Sequence, residues 1–220
     1  MTSKPWVFRE TLAYRLEGSV NAMTHKNDEV GETVVVLCAA NLVRSPLAAS
    51  MLRERLSQVG RTDIQVVSSG VEATPGVTSP GEILRVALDM GLDLSAHVSR
   101  SVSSQEIASA ALILTMTETQ RAAVERRVPG TVARSFTLAE LCRLLRDDEH
   151  VCDGVTELAR RAHRLRPVAY PPTRSEDVDD PIGGPLSHYR RTARQLELLL
   201  DEISRHICPD ESKRPQAHIS

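Results

Sequence analysis

The stretch that most limits how this chain can fold runs from Thr33 to Leu56, TVVVLCAANLVRSPLAASMLRERL. Its opening run, Thr33-Val34-Val35-Val36-Leu37, is apolar and β-branched, as in a strand buried on both faces. Cys38 ends that run. From Pro46 onward Leu47, Met51, Leu52 and Leu56 recur at helical spacing. The pattern predicts strand, loop, helix, with Ser45 capping the helix and Pro46 at its first position, where no backbone donor is needed.

The connecting loop carries Cys38 first and Arg44 seventh. Backbone N–H groups of a tight loop and of a helix N-terminus converge on an anion, and the helix dipole adds favourable potential. Arg44 can grip two anionic oxygens with its planar guanidinium. The same field favours the thiolate of Cys38 and makes it a nucleophile. Ser45 is placed to donate its hydroxyl to that sulfur when it later leaves.

The rest of the chain alternates strands with helices. Ile64 to Val67 reads as a second strand ended by Ser68-Ser69-Gly70, and Ala73 to Pro80 as loop. Glu82 to Met90 is a short amphipathic helix stopped by Gly91. Ala111 to Met116 is a third buried strand, followed by a helix from Glu118 to about Arg126. Val132 to Phe136 is a shorter fourth strand, Leu138 to Leu145 a helix, and Val151 to Leu165 another. An acidic, turn-rich stretch, Glu176 to Pro185, precedes a last helix with Leu186, Tyr189, Ala193, Leu196, Leu200, Ile203 and Ile207 on one face. Such alternation implies an α/β fold with a parallel sheet flanked by helices on both faces, and ligands of such sheets bind at the carboxyl ends of the strands. Cys38 stands at such an end.

Composition narrows the function classes. A net charge of −2 over 220 residues argues against a nucleic-acid binder driven by bulk electrostatics, and no apolar run approaches a membrane span. The apolar share of 41% can fill one core. Four cysteines (Cys38, Cys142, Cys152, Cys208) at irregular spacing do not read as a disulfide scaffold, and no secretory leader core is visible. The expected location is the cytoplasm. Residues 1–31 read as an extension, poorly ordered or with one short helix, in which Trp6 and Phe8 could dock. Residues 32–207 are the domain, with a helical insert at about 147–175, and 208–220 a polar tail. Cys142, His150, Cys152 and His163 match no familiar zinc spacing, so no metal is expected. The arginines Arg160, Arg161, Arg164 and Arg166 form a solvated face or a basic rim.

Taken together, the CAANLVRSP loop after a buried strand, the Ser69-Gly70 pair, the AHVSR segment at 96–100, the LILTM strand and the Asp180-Pro181 pair resemble the low-molecular-weight protein tyrosine phosphatase family. The resemblance covers about Thr33 to Ile207. It implies a four-stranded parallel sheet with the phosphate-binding loop, Ala39, Ala40, Asn41, Leu42, Val43, Arg44 and Ser45, after the first strand. It implies that Cys38 attacks phosphorus, that Arg44 holds the equatorial oxygens, and that Asp180 is the general acid and later the base. Asn41, Ser45, Ser69 and His97 should support the loop, with Arg100 in a structural role. No cofactor or metal is required, because positioning and electrostatics do most of the work of phosphoryl transfer. The implied partner is a phosphotyrosine protein, a tyrosine kinase among the candidates, or a small phosphomonoester.

The chain also departs from the family. Ile182 and the Val71 to Thr74 run stand where relatives often carry aromatics that flank a phenyl ring, with Tyr170 or Tyr189 as substitutes. Val43 replaces a second loop cysteine, and Thr117 an acidic residue after the third strand. Asp177 and Asp179 compete with Asp180 as the acid. Two other readings stand beside the phosphatase: a thioredoxin-coupled arsenate reductase relaying through Cys142 and Cys152, and a catalytically silent phosphate-binding module.

Overall fold

In the computed structural model, which describes residues 31–167 and 176–207, four parallel strands form one sheet in the order β2-β1-β3-β4. The strands are β1 (Thr33–Cys38), β2 (Gln65–Gly70), β3 (Leu112–Thr115) and β4 (Ser135–Thr137). Among the described residues seven α-helices accompany them: α1 (Arg44–Gln58), α2 (Gly81–Asp89), α3 (Ser104–Ser109), α4 (Glu118–Arg127), α5 (Leu138–Leu145), α6 (Val155–Leu165) and α7 (Leu186–Ile207). The sequence-predicted extension at 1–30, the tail at 208–220, and residues 168–175 of the insert lie outside the described residues.

Strand alternation sorts the core into two faces. Val34, Val36, Leu112, Leu114 and Phe136 point to one side, where α1, α2, α5, α6 and α7 pack. Val35, Leu37 and Ile113 point to the other and meet Ile107 of α3 and Val124 of α4. β1 is therefore buried on both faces, as its unbroken apolar run requires.

Several elements differ from the sequence expectation for local reasons. Val132–Arg134 is a turn of 3₁₀ helix, so β4 begins only at Ser135. The helix read from Val151 starts at Val155, because the preceding Cys152 N–H is tied to the His206 carbonyl (2.8 Å). The short helix α3, for which the sequence reading assigns no element, is nucleated by a capping box: Ser103 accepts from the Glu106 N–H while the Glu106 carboxylate accepts from Ser103 N–H. Ser45 does not cap α1. The cap position is Val43, Pro46 sits third in the helix, and the Ser45 hydroxyl turns inward. Gly91, at φ 76°, stops α2 as expected, with Gly91 N–H on Leu88 O and Leu92 N–H on Ala87 O, the paired bonds of a Schellman end.

The start of α6 is clamped to the sheet by one carboxylate. Glu32, immediately before β1, accepts from the first two N–H groups of α6, Val155 (2.7 Å) and Thr156 (2.8 Å). A Cβ on Gly154 would fall 2.2 Å from that carboxylate, so only glycine leaves room for it. The start of α6 thereby belongs to the amino end of β1. Glu32→Ala should remove this cap and lower stability by about 1 kcal/mol, read from the urea midpoint at unchanged m-value; an unchanged midpoint contradicts the clamp.

Candidate active site

The site grows from the carboxyl end of β1. Cys38 is its last residue and is 3% exposed. Its sulfur lies 3.0 Å from Ser45 Oγ and receives the Asn41 N–H at 3.2 Å. When Cys38 is a thiolate it has no proton to give, so Ser45 must donate to it. The alternative Ser45 acceptor, Ser69 O, is farther, at 3.3 Å.

Asn41 holds the loop in shape. It has a positive φ of 55°, a conformation that asparagine tolerates better than other non-glycine residues, and it is fully buried. Its Nδ2 donates to Ser45 Oγ (3.0 Å) and Ser68 Oγ (3.2 Å), and its Oδ1 accepts from Arg100 N–H (3.0 Å). His97 Nε2 is 2.8 Å from the Asn41 carbonyl, which can only accept, so that nitrogen carries a proton. Ser79 Oγ donates to the Leu42 carbonyl at 2.7 Å.

Arg44 opens α1 and is 4% exposed. One terminal nitrogen donates to Val178 O (3.0 Å), and the other pairs with Asp180. Asp180 is therefore brought to the cysteine loop across 136 residues of sequence. Of its neighbours, Asp177 accepts the Glu118 N–H at the start of α4 through its carboxylate (2.8 Å), and the backbone carbonyl of Asp179 accepts from Thr192 Oγ1. The acidic segment is itself docked through Val178 N–H on Met116 O (2.7 Å), just past β3.

Ser69 and Arg100 meet at Glu106. Ser69 Oγ donates to Glu106 (3.4 Å), and the Arg100 guanidinium pairs with the same carboxylate (2.8 Å). Burial pushes the Glu106 carboxyl up, but Arg100 and the Ser103 N–H outweigh it and hold the group below the usual carboxylate range. Arg100 reaches the loop through its backbone, not its side chain.

Gly70, expected only as a strand end and as half of the Ser69-Gly70 pair, also has a steric role that the sequence reading did not assign. A Cβ there would lie 2.4 Å from Ala39 O, 2.7 Å from the Ala73 side chain and 3.0 Å from Asn41 N. The cysteine loop folds down onto this strand end, with Glu72 N–H on Ala39 O (3.0 Å) and Val71 N–H on Cys38 O (3.0 Å). A glycine closing a strand next to a reactive loop is the signal that was there to read.

Two expectations fail. Tyr189 is 2% exposed and packed in the core, so it cannot flank a substrate ring; Tyr170 lies outside the described residues. The relay cysteines are also misplaced. Cys142 donates to the Leu199 carbonyl (3.1 Å), and burial, then Glu202, pushes its thiol up to about 12. Burial, then Glu157, pushes Cys152 up to about 11. Cys152 is tied to the end of α7, whose Ile207 carbonyl meets Arg61 ahead of β2, and it precedes the helix that Glu32 clamps. It belongs to the amino end of the sheet. Cys38 lies at the carboxyl end, about 17 Å along β1, whereas a disulfide needs Cα atoms within about 7 Å.

The sequence profile of the family described as low molecular weight phosphotyrosine protein phosphatase matches residues 33–160. The chain belongs to this family. It is 30% identical over 110 residues to a probable low molecular weight protein-tyrosine-phosphatase, EpsP, of Ralstonia nicotianae, an alignment covering 50% of this chain and 72% of that one. It is 25% identical over 174 residues to a protein-arginine-phosphatase of Geobacillus stearothermophilus, covering 79% of this chain and 95% of that one. The fold matches a low molecular weight protein tyrosine phosphatase from T. tengcongensis with a TM-score of 0.61 at 24% identity, covering 78% and 97% of the two chains. The chain is thus a phosphatase of the cysteine-dependent type, with the expected sheet and loop.

Gly70→Ala should leave the fold intact and displace the loop by some tenths of an ångström or more. Hydrolysis should fall by roughly 10²-fold, as for a small misplacement of reacting groups. Wild-type kcat/KM on an aryl phosphate in this variant would show that the close approach does not matter.

Proposed function

We propose that this protein hydrolyses phosphotyrosine in proteins through a phosphocysteine at Cys38. The observation that carries the reading is the convergence of four groups on one loop: the Cys38 sulfur, the Ser45 hydroxyl at 3.0 Å, the buried Arg44, and Asp180 paired with that arginine. A phosphate-binding module needs neither the thiol nor the acid.

The chemistry follows from these positions. The Cys38 thiolate attacks phosphorus, forming an S–P bond as the bond to the leaving oxygen breaks. Arg44 turns from Asp180 to the equatorial oxygens and stabilises their charge. Released from the guanidinium, the Asp180 carboxylate takes up one proton from solvent and, as the P–O bond breaks, gives that proton to the leaving oxygen. It then takes a proton from water, which attacks phosphorus and breaks the S–P bond. Ser45 donates to the departing sulfur, and the enzyme returns with inorganic phosphate. The Arg44–Asp180 pair of the resting protein is the contact that the substrate phosphate replaces.

The mouth supports an aryl ester through apolar contact, with half-buried Leu42 on the loop and exposed Ile182 (48%) beside Asp180. The partner on this reading is a phosphotyrosine protein, a tyrosine kinase included. A nucleophilic thiol that must stay reduced fits a cytoplasmic protein. One observation favours a second reading, phosphoarginine: the protein-arginine-phosphatase alignment spans far more of both chains than the EpsP alignment does.

The deciding assay compares a phosphotyrosine peptide with a phosphoarginine peptide at equal concentration. Phosphotyrosine should be hydrolysed with the higher kcat/KM, and Cys38→Ser should abolish turnover while still binding vanadate. Asp180→Asn should lower kcat by roughly 10²–10⁴-fold for poor leaving groups and much less for p-nitrophenol. Faster release from phosphoarginine selects the second reading, and an equal loss across leaving groups removes Asp180 from the acid's role.

A further inference from the structure

At the other end of the sheet stands a group of ligating side chains that hydrolysis does not use. His150, Cys152 and Glu157 offer a ring nitrogen, a sulfur and a carboxylate oxygen, all within 4.8 Å of one another. The residues grouped by sequence were Cys142, His150, Cys152 and His163. The fold divides them. Cys142 bonds to α7 and His163 faces Arg166, while Glu157 takes their place in the first turn of α6.

We propose that His150, Cys152 and Glu157 form a zinc-binding site that fastens the segment before α6 to the helix. Thiolate, imidazole and carboxylate together are a donor set that zinc accepts. In a tetrahedral site neighbouring donor atoms lie about 3.3–3.8 Å apart, and His150 Nε2 already stands 3.3 Å from Glu157 Oε1. The other carboxylate oxygen, Oε2, is held by the Asp153 N–H at 2.9 Å, which fixes the carboxylate with Oε1 on His150.

The backbone carrying these donors is held at further points. His150 N–H donates to Asp148 (3.1 Å), His206 Nδ1 meets the His150 carbonyl (2.9 Å), and Cys152 N–H meets the His206 carbonyl (2.8 Å). Cys152 as thiolate and Glu157 together carry the two negative charges that balance the ion. The cation near them is Arg161, and Asp148 already pairs with it. Binding transfers the Cys152 thiol proton to solvent as the S–Zn bond forms. His150 and Glu157 are each 45% exposed, so the fourth position faces water.

Cobalt(II) chloride tests this directly, since a thiolate ligand gives cobalt a charge-transfer absorption in the near ultraviolet. The full chain is used with Cys38 and Cys208 both replaced by serine, so that neither of those thiols contributes. One equivalent of cobalt should produce the band, and one equivalent of zinc should abolish it. His150→Ala and Glu157→Gln alter exposed side chains and should keep the fold while weakening cobalt binding by about tenfold or more. With Cys38 restored, His150→Ala should retain phosphatase turnover. No thiolate band at one equivalent, or a band of equal affinity in the His150→Ala protein, overturns the site.

Discussion

Asn41 is the residue on which the geometry of the cysteine loop depends. It supplies a left-handed turn, a backbone donor to sulfur, two side-chain donors and a side-chain acceptor at one fully buried position. Glycine would supply the turn but none of the side-chain bonds. Aspartate would lose both Nδ2 donors and add a charge beside the thiol. The polar partners of Asn41 come from three parts of the fold: Ser45 from α1, Ser68 from β2, and His97 and Arg100 from the segment that follows α2. The loop is therefore as rigid as the packing of those elements allows, and that packing rests on the two apolar faces of β1.

Rigidity at the loop matters because the chemistry is electrostatic. Donors that already point at a thiolate and a phosphate need not reorganise during reaction. The shell extends outward in layers. Ser69 and Arg100 are fastened to Glu106, which is itself fixed by the capping box of α3. Gly70 lets the loop descend onto the strand end without a Cβ in the way. On the far side, the Asp180 segment is anchored by Val178 on β3's end, by Asp177 on α4 and by Thr192 of α7. Arg44 links the two sides through its bonds to Val178 and Asp180.

Much of this was legible in the sequence, and the reasons for the rest are physical. β1, α5 and α7 are plain because burial on both faces, or on one helical stripe, leaves a strong periodic record. The partnership of Ser45 with Cys38 followed from loop chemistry, whereas its reading as a helix cap followed from local preference and lost to the buried thiol. β4 was read too long because a 3₁₀ turn and a short strand share the same apolar residues. Asp180 was separable from Asp177 and Asp179 only through the Asp-Pro resemblance, since a hydrogen bond to the start of α4 leaves no trace in a run of acids. Glu157 was invisible as a partner of His150 and Cys152. Its proximity depends on the turn before α6, where the Asp153 N–H holds its carboxylate.

The most direct test of a cradle held by Asn41 is the kinetics of Asn41→Ala on an aryl phosphate, beside thermal unfolding of the same protein. The account predicts a cooperative transition near that of the wild type, with kcat/KM reduced by roughly 10²-fold as sulfur, hydroxyl and guanidinium lose their mutual registry. Wild-type kcat/KM in that variant would contradict it.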